Sequence, residues 1–295
     1  MSTASSKQTP NALVLMQRPS EQDVIFSMVP EGSHVRAVYL TPETGVLASD
    51  LGPKILIDCS TIDTGTSLAV RDETVKKHPK ARFYDAPVSG GVIGAERATL
   101  TFMVGCAEDN SDYRLLNSLL SLMGGNIFAC GGASLGLTAK LCNNYTSSLI
   151  SIATVEAMNI GMAAGMDPRV LANIFHTSTA QSAICDDWNP VPGICPDAPA
   201  SKGYKGGFRI NLMRKDVGLA IDSADRLGVK LAIGREGWKV YDEASRDPRC
   251  EGRDSRVIYR YLGGDEEWSK KFPGKLPMKR DETRALLKKA REMGS

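Results

Sequence analysis

Lys54-Ile-Leu-Ile-Asp-Cys-Ser-Thr61 is the stretch of sequence that decides the fold class. Its apolar run ends in hydroxyl residues, which predicts a buried strand whose last side chains are polar. An amphipathic helix is predicted over residues 66–78, and another strand over 81–87. Because strands that alternate with helices form largely parallel, doubly wound sheets, we expect an α/β fold with functional atoms at the carboxyl ends of its strands.

The alternation extends to both sides of this stretch and stops after Gly136. Further strands are predicted over 23–30, 100–105 and 126–130, and further helices over 32–40 and 109–123. Beyond Gly136 the pattern is helical only, over 137–165, 168–178, 210–227 and 233–245. The expected architecture is therefore a sheet domain followed by an all-α domain.

Composition restricts the class of protein. The 295 residues are 42% hydrophobic, and the 36 basic and 34 acidic residues give no reason to expect nucleic-acid binding. The longest apolar stretch, 148–164, contains Glu156 and Asn159, so we expect no membrane span. The seven cysteines form no C-x-x-C pair, and the three histidines have no second ligand at metal spacing. This pattern indicates free thiols and no metal site.

Lys140 and Asn144 are the first pair of residues with possible chemistry. They lie four residues apart in the predicted long helix, so their side chains leave the same face one turn apart. A lysine acts as a general acid or base when burial or a neighbouring positive charge lowers its pKa, and an asparagine can hold a hydroxyl or carboxylate. The alternative is a solvated lysine beside a surface amide.

Two further groups of residues each have a functional and a purely structural interpretation. Ser89-Gly90-Gly91 follows a predicted strand, and its glycines free the backbone to present N–H groups to an anion; the alternative is an ordinary tight turn. Lys215 lies near the start of a predicted helix and can reach a phosphate, ribose or carboxylate. The alternative for Lys215 is a solvated lysine paired with a nearby acid.

The order of the motifs is more specific than any one of them. The motifs are DAPVSGG at 85–91, LTFMVG at 100–105, G-x-x-x-K-x-x-N-N at 136–144, NPVPG at 189–193 and F-x-x-x-L-x-x-K-D at 208–216. From about Asp23 to Leu262 the chain resembles the β-hydroxyacid dehydrogenase family. NPVPG and the Asn143-Asn144 pair favour its 3-hydroxyisobutyrate dehydrogenase branch.

The resemblance implies roles for individual residues. It implies that Lys140 is the catalytic acid/base and that Asn144 assists it. The substrate carboxylate would be bound by Ser89, Gly90 and Gly91. Lys215 would lie near nicotinamide and substrate. Positions at which the family contacts the dinucleotide match Val29, Pro30, His34 and Thr61.

The resemblance also implies the reaction and its setting. The reaction would be oxidation of 3-hydroxyisobutyrate to methylmalonate semialdehyde with NAD, a step of valine breakdown, with NADP not excluded and no metal. The assembly would be a homodimer or homotetramer in the mitochondrial matrix. Residues 1–22 are rich in Ser and Thr but contain no clear transit peptide, so a cytoplasmic location is the alternative.

No G-x-G-x-x-G turn precedes Asp23 in the sequence. Such a turn ordinarily holds the pyrophosphate of a dinucleotide at a helix N-terminus, so we expect an incomplete, Rossmann-like sheet and weak NAD(H) binding. The predicted organisation is a disordered N-terminus at 1–22, a partial dinucleotide-binding domain at 23–135, a helical substrate and dimerisation domain at 136–264, and a charged tail at 265–295.

Two alternatives to this function are open at the level of sequence. The first is a semialdehyde or glyoxylate reductase of the same family that uses NADPH, because no ribose-binding acid is recognisable to separate NAD from NADP. The second is a non-catalytic homologue that dimerises through its helical half. The absent glycine-rich turn favours this second alternative, and the retained Ser89, Lys140, Asn144 and Lys215 argue against it.

Overall fold

The computed structural model describes residues 23–274, and the segments 1–22 and 275–295, which include the predicted disordered N-terminus and most of the predicted tail, lie outside them. The strands are β1 Val24–Ser27, β2 Ile55–Asp58, β3 Arg82–Asp85, β4 Val88–Ser89, β5 Leu100–Val104 and β6 Gly124–Ala129. The α-helices are α1 Gly32–Leu40, α2 Thr64–Lys77, α3 Gly91–Glu96, α4 Tyr113–Leu120, α5 Leu135–Ala163, α6 Pro168–Thr177, α7 Ala183–Asp186, α8 Ile210–Leu227, α9 Gly234–Arg246 and α10 Ile258–Tyr261.

The strands form two three-stranded sheets. In the first sheet β1, β2 and β3 are parallel in that order, with Val24 opposite Ile55 and Ile55 opposite Arg82. In the second sheet β5 pairs in parallel with β6 and antiparallel with the two-residue strand β4. The predicted α/β class with a helical C-terminal half is confirmed. Strand β4 and helix α3 are additions to the prediction, because elements this short carry no hydrophobic period.

The described chain divides into two compact units. The first contains residues 23–146 and 215–235, and the second contains residues 147–214 and 236–274. All six strands belong to the first unit, together with the start of α5 and most of α8. Lys140, Asn144 and Lys215 are therefore all residues of the first unit. No helix within 23–274 has both the length and the hydropathy that crossing a bilayer requires.

Strand β2 lies between the two hydrophobic clusters of the first unit. All four of its residues are buried. Leu56 packs into a cluster with Val35 and Tyr39, whereas Ile55 and Ile57 pack into the other cluster with Phe102. A strand of a parallel sheet that is covered on both faces is apolar at successive positions instead of alternating, and this explains why residues 54–59 decide the fold so clearly.

In the second unit, the NPVPG segment is a buried loop held by side-chain hydrogen bonds. The hydroxyl of Tyr204 donates to the carbonyl of Pro190 at 3.0 Å, and Nε1 of Trp268 donates to the carbonyl of Pro192 at 2.7 Å. The amide of Asn189 accepts from the backbone N–H of Val191 at 3.0 Å. These hydrogen bonds pair backbone carbonyl and N–H groups that a proline-rich loop cannot pair within regular secondary structure.

Candidate active site

Lys140 lies in the second turn of α5 and is only 7% exposed. Burial lowers its pKa from 10.5 to about 8; the negative charge of Asp216 opposes this shift and the positive charge of Lys215 adds to it. Within residues 23–274, no group accepts a hydrogen bond from its Nζ. An amine with this pKa and a free lone pair or proton is able to exchange a proton with a bound substrate near neutral pH.

Asn144 and Asp216 complete the surroundings of Lys140. Nδ2 of Asn144 donates to Oδ2 of Asp216 at 2.6 Å, and Nδ2 of Asn143 donates to Oδ1 of Asn144 at 3.2 Å. Asp216 is 1% exposed, and its Oδ1 lies 3.2 Å from Nζ of Lys215. Burial raises the pKa of Asp216, whereas Lys215, the Asn144 amide and Lys140 oppose that rise. We call Lys140, Asn144, Lys215 and Asp216 the Lys140 cluster.

Lys215 joins this cluster to the ends of the first two strands. Its Nζ donates to the carbonyls of Pro30 at 2.8 Å and Thr61 at 2.5 Å, in addition to its ion pair with Asp216. Lys215 thus makes two hydrogen bonds and one ion pair, and Oδ1 of Asp216 accepts no hydrogen bond among the described residues. The side chain is 22% exposed. The solvated lysine considered above does not describe Lys215, although the nearby acid does exist.

A buried polar network holds the same strand ends together. Oδ1 of Asp58 accepts from the hydroxyls of Ser27 at 2.8 Å and Ser60 at 2.7 Å. Oγ of Ser60 in turn accepts from the backbone N–H of Val29 at 2.9 Å, and Ser27 bonds the hydroxyl of Tyr39 at 2.7 Å. Burial raises the pKa of Asp58, against the hydrogen bonds from both serines. The network fixes the backbone directly before Pro30 and Thr61.

A cleft of about 390 Å³ opens beside these strand ends. Its walls come from the starts of α1 and α2, the end of β2 and one face of α8: Glu31, Gly32, Ser33, Thr61, Ile62, Asp63, Thr66, Lys215 and Leu219. The walls combine hydroxyls, two carboxylates, one ammonium and two aliphatic side chains. Such a mixture suits a ligand that has both polar and apolar parts.

The predicted site residues of β4, α3 and α1 have no hydrogen bond to the Lys140 cluster among the described residues. Ser89 is in β4 opposite Thr101, and no hydrogen bond or ion pair among the described residues joins it to the Lys140 cluster. Gly90 and Gly91 have φ values of +134° and +63°, which are the left-handed conformations that favour glycine. His34 lies in the first turn of α1, and its Nδ1 is buried without a partner among residues 23–274.

Comparison with known proteins identifies the family. Residues 3–132 match the family model for the NAD-binding domain of 6-phosphogluconate dehydrogenase, and residues 134–262 match that for NAD binding of NADP-dependent 3-hydroxyisobutyrate dehydrogenase. A probable mitochondrial 3-hydroxyisobutyrate dehydrogenase of Dictyostelium discoideum is 43% identical over 244 residues, which are 82% of this chain and 74% of that protein. The chain belongs to the 3-hydroxyisobutyrate dehydrogenase family.

Further relatives agree with this assignment. The mitochondrial 3-hydroxyisobutyrate dehydrogenase of Mus musculus is 40% identical over 83% of this chain and 71% of its own length. Among solved structures, a 3-hydroxyisobutyrate dehydrogenase of Mycobacterium tuberculosis with L-serine is 33% identical and superimposes with a TM-score of 0.75 over 83% of this chain and 81% of that one. The predicted family and the predicted nicotinamide-dependent class of enzyme are confirmed.

Two buried acids of the site, Asp216 and Asp58, are not among the residues predicted from the sequence. The sequence contains a signal for Asp216, because this residue directly follows Lys215. A helix that turns Lys215 partly inward also brings Asp216 toward the interior. Asp58 stands at the end of an apolar strand, where a charge requires partners. Within 23–274, no group of three or more His, Cys, Asp or Glu is arranged to hold a metal ion.

Proposed function

We propose that this chain oxidises 3-hydroxyisobutyrate to methylmalonate semialdehyde with NAD, as a step of valine breakdown. The observation that carries the proposal is the buried amine of Lys140, whose pKa is lowered to about 8 beside Asn144 and two further charged side chains. The names of the relatives give the substrate, and the Lys140 cluster gives a chemical means for the proton transfer that alcohol oxidation requires.

In this proposal the neutral amine of Lys140 accepts the hydroxyl proton of the substrate. Asn144 orients the substrate oxygen, and the backbone of Ser89, Gly90 and Gly91 binds the carboxylate. Bound NAD supplies the hydride acceptor. Because the base must be neutral, oxidation is favoured above the pKa of Lys140, and reduction of the semialdehyde, which needs the protonated amine, is favoured below it.

We assign one half of the dinucleotide to the cleft beside Thr61. Its volume of about 390 Å³ and its mixed walls fit a ribose with an attached nicotinamide ring. Ser33, Thr61 and Thr66 offer hydroxyls to the ribose, and Lys215 belongs both to the wall of this cleft and to the Lys140 cluster. Val29 and Pro30 would act here through the backbone that the Asp58 network holds. NADP is not excluded, since one family model is described as NADP-dependent.

The setting of the reaction is also part of the proposal. Relatives from Dictyostelium discoideum, Mus musculus and Arabidopsis thaliana are named mitochondrial, and this supports the mitochondrial matrix. A homodimer or homotetramer is proposed from the family resemblance. The substrate is a small hydroxy acid.

The proposal is tested by following NADH formation from 3-hydroxyisobutyrate in the purified protein and in Lys140→Met. The matched control is Lys76→Met, a solvent-facing lysine of α2 paired only with Glu73 among the described residues. We expect Lys140→Met to reduce kcat by about 10² to 10⁴ and the control to retain it. Turnover that is confined to glyoxylate with NADPH would replace the proposal by the reductase, and no turnover with either pair would leave the non-catalytic homologue.

A further inference from the structure

Three of the sequence motifs meet at one buried carboxylate. Asp85, which begins DAPVSGG and ends β3, is 2% exposed. Its Oδ1 accepts from the backbone N–H of Ser134 at 2.8 Å, and its Oδ2 accepts from the backbone N–H of Leu137 at 2.9 Å. Ser134 directly precedes α5, and Leu137 lies in the first turn of this helix, which carries Lys140 and Asn144.

Asp85 caps the N-terminus of α5, a role that the residue directly before a helix usually has. The first N–H groups of a helix have no partner within it, and a serine directly before the helix normally accepts one of them. Ser134 occupies that position, but its φ is +68° and its hydroxyl donates instead to the carbonyl of Thr64 at 3.1 Å. The cap of α5 is therefore supplied from a strand 49 to 52 residues earlier in the chain.

Two glycines of the other motifs make room for this carboxylate. A Cβ on Gly136, the first residue of the lysine motif, would lie 2.9 Å from Oδ2 of Asp85 and would overlap the carbonyl of Met103. A Cβ on Gly105, the last residue of LTFMVG, would overlap Oδ1 of Asp85. Neither glycine has a positive φ, so space and not backbone freedom requires them.

The carboxylate holds the turn of α5 that precedes Lys140. Leu137 is fully buried, and Lys140 follows it by three residues, which places Lys140 on the next turn of the same face. Asp85 also accepts from the backbone N–H of Gly105 through its own carbonyl at 2.7 Å, which ties it to the second sheet. A shift of the first turn of α5 therefore moves Lys140 and Asn144 relative to both sheets.

We propose that Asp85 is a positioning residue, which fixes the first turn of α5 and thereby the places of the Lys140 amine and the Asn144 amide. The consequence for catalysis rests on the proposed function. Misplacement of a reacting group by about 1 Å costs about 10²-fold in rate, so loss of the cap should lower kcat without changing the affinity for NADH in the cleft beside Thr61.

The test is Asp85→Asn, whose amide has one acceptor oxygen and turns its NH₂ group toward the second backbone donor. We expect kcat for 3-hydroxyisobutyrate to fall by about 10- to 100-fold, the NADH dissociation constant to stay within about twofold, and the pH limb of Lys140 to stay where it is. Hydrogen exchange of the backbone amides of 134–137 should accelerate by at least about tenfold, while β2 stays protected.

The matched control is Asp254→Asn in the second unit, because Asp254 is also fully buried and accepts from the backbone N–H groups of Phe208 and Arg256. It should lower thermal stability without selective loss of kcat. Asp85→Ser is the smaller replacement if Asp85→Asn does not fold. Unchanged kcat and unchanged exchange in the Asp85 variant would overturn the proposal, and so would failure of both Asp85 variants to fold while Asp254→Asn folds.

The exchange measurement does not depend on turnover. A wild-type protein without activity on 3-hydroxyisobutyrate refutes the proposed function, and the exchange of 134–137 then decides by itself whether Asp85 fixes the helix start. Accelerated exchange with wild-type kcat would reduce Asp85 to a structural cap and refute its positioning role.

Discussion

Replacing Asp216 by asparagine removes one negative charge from the Lys140 cluster and little else. The asparagine keeps an oxygen that can accept from Nδ2 of Asn144, as Oδ2 of Asp216 does at 2.6 Å. It removes the charge that lies 3.2 Å from Lys215 and that favours the protonated form of Lys140. The change therefore separates the electrostatic effect of Asp216 from its hydrogen bond.

The expected magnitude follows from the balance of forces on Lys140. Burial and Lys215 lower the pKa of Lys140, and Asp216 is the charge that opposes them, which together give a pKa of about 8. Loss of a neighbouring opposite charge shifts a pKa by about 1 to 3 units, so the pKa of Lys140 should fall to about 5 to 7 in Asp216→Asn. Each unit corresponds to about 1.4 kcal/mol between the two protonation states.

The assay is kcat/KM for 3-hydroxyisobutyrate oxidation at saturating NAD, measured from pH 5 to 10 at constant ionic strength. Oxidation needs neutral Lys140, so the wild-type rate should fall as the pH drops through about 8, and in Asp216→Asn the fall should begin at lower pH. Asp242→Asn, which removes a buried aspartate paired with Arg214 and Arg246, is the control and should leave the limb unchanged. If the fall of kcat/KM occurs at the same pH in Asp216→Asn as in the wild type, then either Asp216 carries no charge between pH 5 and 10 or a group other than Lys140 titrates.

Three other variants address separate parts of the site. Lys140→Met should stabilise the fold at pH 7, because a pKa lowered from 10.5 to about 8 corresponds to a cost of about 3 kcal/mol for the buried charged amine. Between pH 8 and 10.5 the unfolded wild type binds this proton and the folded form does not, so the free energy of unfolding of the wild type should rise with pH over that window. Urea titrations measure the rise, and its absence in Lys140→Met would show that Lys140 causes it. Lys215→Met should weaken NADH binding, measured by NADH fluorescence, more than it lowers kcat; wild-type affinity in the micromolar range would contradict the weak binding expected from the sequence. Ser60→Ala leaves the N–H of Val29 without its partner and should cost about 1 to 3 kcal/mol in unfolding free energy. Ser121→Ala, at the exposed residue directly after α4, should be neutral.

The parts of the structure that the sequence predicts well depend on local patterns. The apolar run of β2 is recognisable because both of its faces are covered, and the four-residue spacing of Lys140 and Asn144 correctly places both on one side of α5. Spacing does not predict that both side chains are buried, because that depends on what packs against the helix.

The parts that escape prediction depend on contacts between distant segments. The hydrogen bonds of Asp85 span 49 and 52 residues, and those of Lys215 to Pro30 and Thr61 span 185 and 154. No periodicity records such contacts. The roles of all the predicted site residues, Lys140 and Asn144 included, stay predictions. For Ser89, Gly90, Gly91 and His34, no hydrogen bond among the described residues joins them to Lys140.

Two hydrogen bonds and one ion pair already hold the ammonium of Lys215. The ammonium donates to the carbonyls of Pro30 and Thr61 and is paired with the carboxylate of Asp216, so a ligand anion that recruits this lysine competes with these three groups. Displacing a carbonyl frees one strand end, and displacing Asp216 changes the charge around Lys140. We therefore expect ligand binding at the cleft and the proton affinity of the Lys140 amine to be coupled through the side chain of Lys215.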